Sequence, residues 1–154
     1  MKKKIAILGS TGSIGESTLE VISKDKKNFN IILLSANNNY KRLIKQAKQF
    51  NVKNVLIKNH KFYLKVKNSL KKTKTKMYSG DTSIKKIVSK KLDYTMAAVV
   101  GLAGLQPTID AMKISKTVAV ANKETIICGW QILSKIIKRY KTKIVPVDSE
   151  HFSI

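Results

Sequence analysis

The chain has few of the residues that would build a disulfide framework, a signal peptide or a membrane span. Its 154 residues include one cysteine, Cys128, and two prolines. A single cysteine excludes an internal disulfide, and because Cys128 falls within the apolar face of a helical pattern, we expect a buried thiol. No apolar run reaches the roughly 18 residues of a membrane helix, and the run after Met-Lys-Lys-Lys is too short for a signal peptide. We therefore expect a cytoplasmic protein of about one domain, without a membrane partner.

Acidic residues are also scarce. The chain has 9 Asp and Glu against 31 Lys and Arg, a formal net charge of +22, and no acidic residue between Lys26 and Gly80. Such an excess can bind nucleic acid, but only Arg42 and Arg139 carry the guanidinium group favoured for reading bases and clamping phosphates. No aromatic side chains are interleaved with the lysines to stack on bases. We interpret the excess as biased composition of the source genome, with attraction to phosphorylated ligands or polyanions as the alternative.

Glycines are few, but three of them form a motif near the start of the chain. Gly9, Gly12 and Gly15 follow the apolar run 5–8 and precede a helical pattern. A buried parallel strand, a tight turn and a helix N-terminus together present unpaired N–H groups and a partial positive charge to an anion. This spacing occurs in nicotinamide-cofactor folds, although it is less specific than GxGxxG. The motif predicts a dinucleotide phosphate site, and the alternative is an ordinary strand–turn–helix corner.

Strand-like and helix-like segments alternate along the whole chain. The predicted strands are 4–8, 28–36, 55–57, a short one near Met77, 94–99, 117–120 and 144–147. The predicted helices are 14–24, 40–50, 62–70, 83–89, 107–114 and 125–140, the last with Ile126, Ile127, Trp130, Leu133, Ile136 and Ile137 on one apolar face. This alternation is typical of an α/β fold, a doubly wound parallel sheet with helices on both faces.

Ligands of such a sheet bind beyond the carboxyl ends of its strands, so the loops there are the candidate sites. The loop after the second strand is Asn37-Asn38-Asn39, followed by Lys41 and Arg42. An acidic residue there would repel a 2′-phosphate, whereas neutral amides with cations close behind favour the phosphorylated nicotinamide cofactor. The alternative is a plain asparagine turn.

Two further loops carry charge. Asn122-Lys123-Glu124 follows a predicted buried strand. This places an amide, a cation and a carboxylate at the ligand crevice, which lies beyond the carboxyl ends of the strands. In Asp148-Ser149-Glu150, carboxylates at i and i+2 lie on one side of an extended chain and can hold a hard divalent cation, as an incomplete site. Capped loop ends are the alternative for both loops.

Taken together, the motifs resemble the 1-deoxy-D-xylulose 5-phosphate reductoisomerase family. Residues 9–15, 97–108, 121–124 and 146–151 look like that family's signatures, in its order and at its spacing. The whole chain is similar to the N-terminal part of that family. One departure is that Asn37 and Asn38 stand where the family more often has glycine and a basic residue.

The resemblance implies a Rossmann-like NADPH-binding domain at 1–147 and, at 148–154, the start of a catalytic, metal-binding domain whose remainder is absent. It assigns the cofactor pyrophosphate to Thr11, Gly12, Ser13 and Ile14, and the adenosine 2′-phosphate to Asn37, Asn38 and Asn39. It assigns the nicotinamide side to Asn122 and Glu124, the sugar phosphate substrate to Lys123, Ser149 and Glu150, Mg²⁺ or Mn²⁺ to Asp148 and Glu150, and catalytic roles to Lys123 and Glu150.

The implied activity is NADPH- and metal-dependent conversion of 1-deoxy-D-xylulose 5-phosphate to 2-C-methyl-D-erythritol 4-phosphate, in the non-mevalonate route to isoprenoids. The full-length enzyme is expected to be a homodimer, and this chain alone is expected to bind cofactor with little or no turnover. A non-catalytic nucleotide-binding module and a lysine-rich nucleic-acid binder are the alternative hypotheses.

Overall fold

The computed structural model describes residues 1–89 and 91–147, which form one parallel sheet covered by helices. The strands are β1 (Lys3–Leu8), β2 (Phe29–Ala36), β3 (Asn54–Ile57), β4 (Lys76–Ser79), β5 (Leu92–Ala97), β6 (Ser115–Val120) and β7 (Lys143–Pro146). The helices are α1 (Ser13–Lys24), α2 (Tyr40–Phe50), α3 (Tyr63–Leu70), α4 (Ile84–Ile87), α5 (Leu105–Ile114) and α6 (Lys123–Tyr140). Short 3₁₀ turns at His60–Phe62 and Leu102–Gly104 precede α3 and α5.

Each predicted strand and helix is present, and the predicted ends lie within two residues of the observed ones. Helix α4 is shorter than predicted, spanning Ile84–Ile87 instead of 83–89. The helix ends early because Val88 turns to an extended conformation and its side chain is buried in the core. Local periodicity therefore located the element, and tertiary burial set its end.

The sheet separates two apolar cores. Because side chains alternate along a strand, Ala6 and Leu8 of β1 point to one core whereas Ile5 and Ile7 point to the other. Helices α4, α5 and α6 cover the first core, and α1, α2 and α3 cover the second. The predicted doubly wound fold is thus confirmed.

Two expectations about α6 are wrong. Cys128, expected to be a buried thiol, is exposed. Ile127 and Trp130, placed on the one predicted apolar face of the helix, are 75% and 55% exposed. The buried stripe of the helix runs through Thr125, Gly129, Leu133 and Ile136, so it is narrower than the apolar pattern in the sequence. An apolar pattern shows which faces of a helix could be buried. The width of the contact between the helix and the sheet decides which residues are buried.

The strand order is β4-β3-β2-β1-β5-β6-β7, with every pair parallel. The chain winds outward from β1 to β4, then crosses back to place β5 on the other side of β1. The order therefore reverses between β1 and β5, which is the position where such sheets bind ligands at their carboxyl edge. No helix in the described part of the chain is long and apolar enough to cross a membrane.

At the amino-terminal ends of the strands, Asp93 of β5 joins its own strand to the neighbouring β1 and β6. Its carboxylate accepts a hydrogen bond from the Lys4 backbone N–H (2.9 Å) and another from Lys116 Nζ (2.7 Å). The bond from Lys116, followed by that from Lys4, lowers the pKa of Asp93 below its ordinary value of 3.8. Asp93 therefore stabilises the folded state above that pKa, and the contribution is lost as the pH falls through the lowered value.

We expect Asp93→Asn to lower the free energy of unfolding near neutral pH by no more than about 1 kcal/mol, because solvent screens the Lys116 pair. The substitution should also flatten the acid side of the stability profile. Urea unfolding from pH 6 to pH 3 measures both effects. An equally steep loss of stability below pH 4 in the variant would contradict the assignment.

Candidate functional site

The turn between β1 and α1 is closely packed and requires glycine at two positions. Gly9 has a φ of +78°, and a Cβ there would lie 2.7 Å from the carbonyl oxygen of Ala98. A Cβ on Gly15, in the first turn of α1, would lie 2.4 Å from the carbonyl oxygen of Gly9. Both distances are far below van der Waals contact, so only glycine lets α1 approach the end of β1 this closely.

Hydrogen bonds fix this turn to the neighbouring β2 and α2. The N–H groups of Gly9 and Ser10 donate to the carbonyl oxygen of Ser35 (3.1 and 2.8 Å). Ser10 Oγ donates to Gln46 Oε1 (2.8 Å), and Gln46 Nε2 donates back to the Ser10 carbonyl (2.9 Å). Both side chains are buried, and each of their polar atoms has a hydrogen-bond partner. Sequence reasoning missed Gln46, although a polar residue within the apolar stripe of α2 was an available signal.

The N-terminus of α1 carries no capping side chain. Its N-cap residue is Gly12, whereas α2 is capped by Asn39 and α6 by Asn122. The first N–H groups of a helix have no partner within the helix, so an uncapped start at the surface suits an anion. Thr11 is half-buried, and Gly12, Ser13 and Ile14 are exposed. The structure therefore brings the four predicted pyrophosphate residues together at the carboxyl end of β1.

The three asparagines of the predicted 2′-phosphate loop lie at the neighbouring end of β2 and are exposed. Asn39 Oδ1 accepts from the Arg42 backbone N–H (3.2 Å), which caps α2. Asn38 Oδ1 accepts from Asn59 Nδ2 (2.8 Å), and the Asn37 carbonyl accepts from the Asn59 N–H (3.1 Å). Asn59, on the loop after β3, is a second residue that sequence reasoning missed.

Arg42 was expected to supply positive charge near this loop. In the structure, its guanidinium forms an ion pair with an acidic residue. Its Nε lies 2.5 Å from Glu16 Oε1, and both side chains are partly exposed. The pair joins α2 to the first turn of α1, and both side chains line an open groove of about 510 Å³ between these two helices. All residues that line this groove belong to α1 and α2, with Ser13 at the start of α1 among them. Because such sheets bind ligands at the carboxyl ends of their strands, where the strand order reverses, we assign the ligand site there and not to the groove.

On the other side of the crevice, Asn122 holds two segments together. Its Nδ2 donates to the carbonyl oxygens of Val99 (2.8 Å) and Gly101 (2.6 Å), and its Oδ1 accepts from the Thr125 N–H (3.3 Å). Its amide therefore attaches the loop after β5 to the start of α6. Lys123 and Glu124 begin α6 and are both exposed.

The predicted metal and substrate residues Asp148, Ser149 and Glu150 lie outside the described residues. The described chain reaches Val147, whose N–H donates to the carbonyl oxygen of Val120 (2.9 Å) at the carboxyl edge. Within 1–89 and 91–147, no group of three or more His, Cys, Asp or Glu side chains could hold a metal ion. The assignments to Asp148, Ser149 and Glu150 remain predictions.

An all-parallel, doubly wound sheet with a glycine turn leading to an uncapped helix defines the Rossmann-like class of nucleotide-binding domains. The family model for 1-deoxy-D-xylulose 5-phosphate reductoisomerase matches residues 5–129. The chain therefore belongs to the 1-deoxy-D-xylulose 5-phosphate reductoisomerase family.

Relatives support the same assignment. The chain is 54% identical to the reductoisomerase of Pelagibacter ubique over 99% of its own length, and 43% identical to that of Phocaeicola vulgatus over 100%. It spans 40% and 41% of the lengths of those two proteins.

Solved structures show the same correspondence. The Zymomonas mobilis reductoisomerase in complex with NADPH superposes with a TM-score of 0.92 at 35% identity, over 98% of this chain and 40% of that one. A reductoisomerase in complex with magnesium superposes with a TM-score of 0.89 at 31% identity, over 98% of this chain and 38% of that one. Homoserine dehydrogenase of S. aureus, at 16% identity and a TM-score of 0.54, is similar in fold alone.

Alanine substitutions at Gly15 and Gly12 compare a closely packed glycine with an exposed one. We expect Gly15→Ala to destabilise the protein by about 1–3 kcal/mol, because the new methyl group would overlap the Gly9 carbonyl. Gly12→Ala is the matched control, because a Cβ there would meet nothing closer than 3.5 Å. Chemical denaturation of both variants makes the comparison. Equal stability of the Gly15→Ala protein and the unsubstituted chain would contradict the close packing.

Proposed function

We propose that this chain binds NADPH and is the cofactor domain of a 1-deoxy-D-xylulose 5-phosphate reductoisomerase. The observation that carries the proposal is the uncapped start of α1 behind the Gly9–Gly15 contact. A dinucleotide pyrophosphate must come close to the backbone, and the exposed Gly12, which has no Cβ, leaves room for it at the start of α1. The solved relative in complex with NADPH supports the choice of cofactor.

In this proposal, Thr11, Gly12, Ser13 and Ile14 surround the pyrophosphate, and the backbone N–H groups of Thr11, Ser13 and Ile14 are its donors. The Gly12 N–H donates to the Gly9 carbonyl (3.2 Å). Asn37, Asn38 and Asn39 surround the adenosine 2′-phosphate on the adjacent loop. This loop bears no carboxylate that would repel the phosphate, and its side chains are exposed. The two sites follow neighbouring parallel strands, β1 and β2, so one extended dinucleotide can reach both.

The nicotinamide end would lie on the other side of β1, where α6 begins. Asn122 and Glu124 border it in this proposal, with Asn122 acting through the loop it holds. Lys123, exposed at the first position of α6, would bind the sugar phosphate and act in catalysis. The chain's NADPH-binding domain would comprise 1–147.

The remaining assignments concern residues after 147. We place the start of the catalytic domain at 148–154, with Ser149 and Glu150 contacting substrate. Mg²⁺ or Mn²⁺ held by Asp148 and Glu150 would supply the positive charge needed for rearrangement of 1-deoxy-D-xylulose 5-phosphate before its reduction to 2-C-methyl-D-erythritol 4-phosphate. A solved relative in complex with NADPH, fosmidomycin and magnesium supports a small-molecule site of this kind.

The cofactor assignment predicts that the chain binds NADPH more tightly than NADH. Titration followed by the fluorescence of the reduced nicotinamide measures both affinities. Excess duplex DNA at 0.15 M salt serves as the competitor. If the chain were a lysine-rich nucleic-acid binder, the DNA would displace NADPH from it. Equal affinity for the two nucleotides would contradict the 2′-phosphate site, and displacement by DNA would favour the nucleic-acid hypothesis.

We also expect the 154-residue chain alone to have little or no turnover. Two carboxylates make an incomplete divalent site, and the chain spans about 40% of its curated relatives. The assay follows NADPH oxidation at 340 nm with substrate and Mg²⁺, with the Pelagibacter ubique enzyme as positive control. Substrate-dependent oxidation by the purified 154-residue chain would overturn this expectation.

A further inference from the structure

The loops after β2 and β3 lie side by side at the carboxyl edge because the two strands are neighbours. Asn59 connects them. Its backbone N–H donates to the Asn37 carbonyl (3.1 Å) and its side-chain Nδ2 donates to Asn38 Oδ1 (2.8 Å). One residue therefore contacts two of the three asparagines proposed to surround the 2′-phosphate.

The bonds of Asn59 determine which way the amide of Asn38 is oriented. Asn59 Oδ1 accepts from the Lys61 backbone N–H (3.1 Å), and a backbone N–H can only donate. The oxygen of Asn59 must therefore face Lys61, so its Nδ2 faces Asn38. Because Asn59 Nδ2 is a donor, the atom of Asn38 that faces it must be the acceptor Oδ1. The Nδ2 group of Asn38 is then the end directed away from this bond.

Asn39 is oriented by the same logic. Its Oδ1 accepts from the Arg42 N–H, which leaves its Nδ2 as the other end of the amide. A phosphate oxygen accepts hydrogen bonds and cannot donate to a carbonyl oxygen, so an asparagine suits a phosphate only when its Nδ2 is presented. In Asn38 and Asn39, each oxygen is already used within the protein.

On this basis, and resting on the proposed NADPH function, we propose that Asn59 is a positioning residue for the 2′-phosphate. By donating to Asn38 Oδ1 it fixes Asn38 as a hydrogen-bond donor and makes a neutral loop selective for the phosphorylated cofactor. The Lys61 side chain next to Asn59 is exposed, which adds positive charge to the surroundings of the anion. Asn59 itself makes no contact with the nucleotide in this account.

The test is a double-substitution cycle on the full 154-residue chain, with NADPH and NADH affinities measured by nicotinamide fluorescence. Asn59→Ser is the central variant, because serine can still accept from the Lys61 N–H as an N-cap but is too short to donate to Asn38. Asn38→Ser removes the oriented amide, and the double variant measures the coupling of the two residues. Asn68→Ser, at an exposed position of α3, is the matched control.

We expect Asn59→Ser to weaken NADPH binding by about three- to tenfold, the range for one neutral hydrogen bond, while NADH binding changes less than about twofold. The double variant should bind NADPH no more weakly than Asn38→Ser alone. The control should match the unsubstituted chain. Asn59→Asp, which keeps the acceptor for Lys61 but removes the donor, should weaken NADPH binding more than Asn59→Ser does.

Two results would overturn the inference while leaving the proposed function in place. One is unchanged NADPH affinity in Asn59→Ser, and the other is an equal loss of NADPH and NADH affinity, which would indicate a general structural role. Additive losses in the double variant would likewise contradict the coupling of Asn38 and Asn59. Failure of the unsubstituted chain to bind either nucleotide would instead overturn the proposed function, and the inference with it.

Discussion

The approach of Gly15 to the carbonyl oxygen of Gly9 is the contact on which the rest of the site depends. A methyl group at Gly15 would lie 2.4 Å from that oxygen, so glycine alone allows α1 to begin directly beyond β1. The position of the helix sets where its uncapped N–H groups stand. The Ser10–Gln46 pair and the bonds to Ser35 then hold the turn against β2 and α2. Backbone geometry thus creates the proposed anion site without a charged side chain.

The parallel sheet gives this turn its neighbours. Because β1 lies between β2 and β5, the asparagine loop stands on one side of the turn and the loop after β5 on the other. Asn122 attaches the loop after β5 to the start of α6. Asn39 caps α2 and Asn122 caps α6, whereas Gly12 leaves α1 uncapped. The start of α1 is therefore available to an anion, and so is that of α5, which also begins without a side-chain cap. Backbone N–H groups at such a start explain why a chain with a net charge of +22 need not use its lysines to bind phosphate there.

The sequence predicted the strands, the helices and the loops at the carboxyl edge, because these follow from local periodicity and glycine placement. It did not predict the roles of Gln46 and Asn59, whose side-chain partners lie 36 and 21 residues away. The exposure of Cys128 and Trp130 was also missed, since an apolar helical pattern does not report how wide a stripe the sheet covers. Asn122 was expected at the nicotinamide side, which stays a prediction, and the sequence did not predict that its side chain holds the loop after β5. Contacts between distant segments account for all of these differences.

The central claim is that the backbone between β1 and α1 receives the pyrophosphate of NADPH. A titration of the ¹⁵N-labelled chain with NADPH, followed by backbone amide chemical shifts, tests it most directly. The account predicts that the amides of Thr11, Gly12, Ser13 and Ile14 shift most strongly and saturate together. Unchanged amides at these four positions, with saturable shifts elsewhere on the surface, would contradict it.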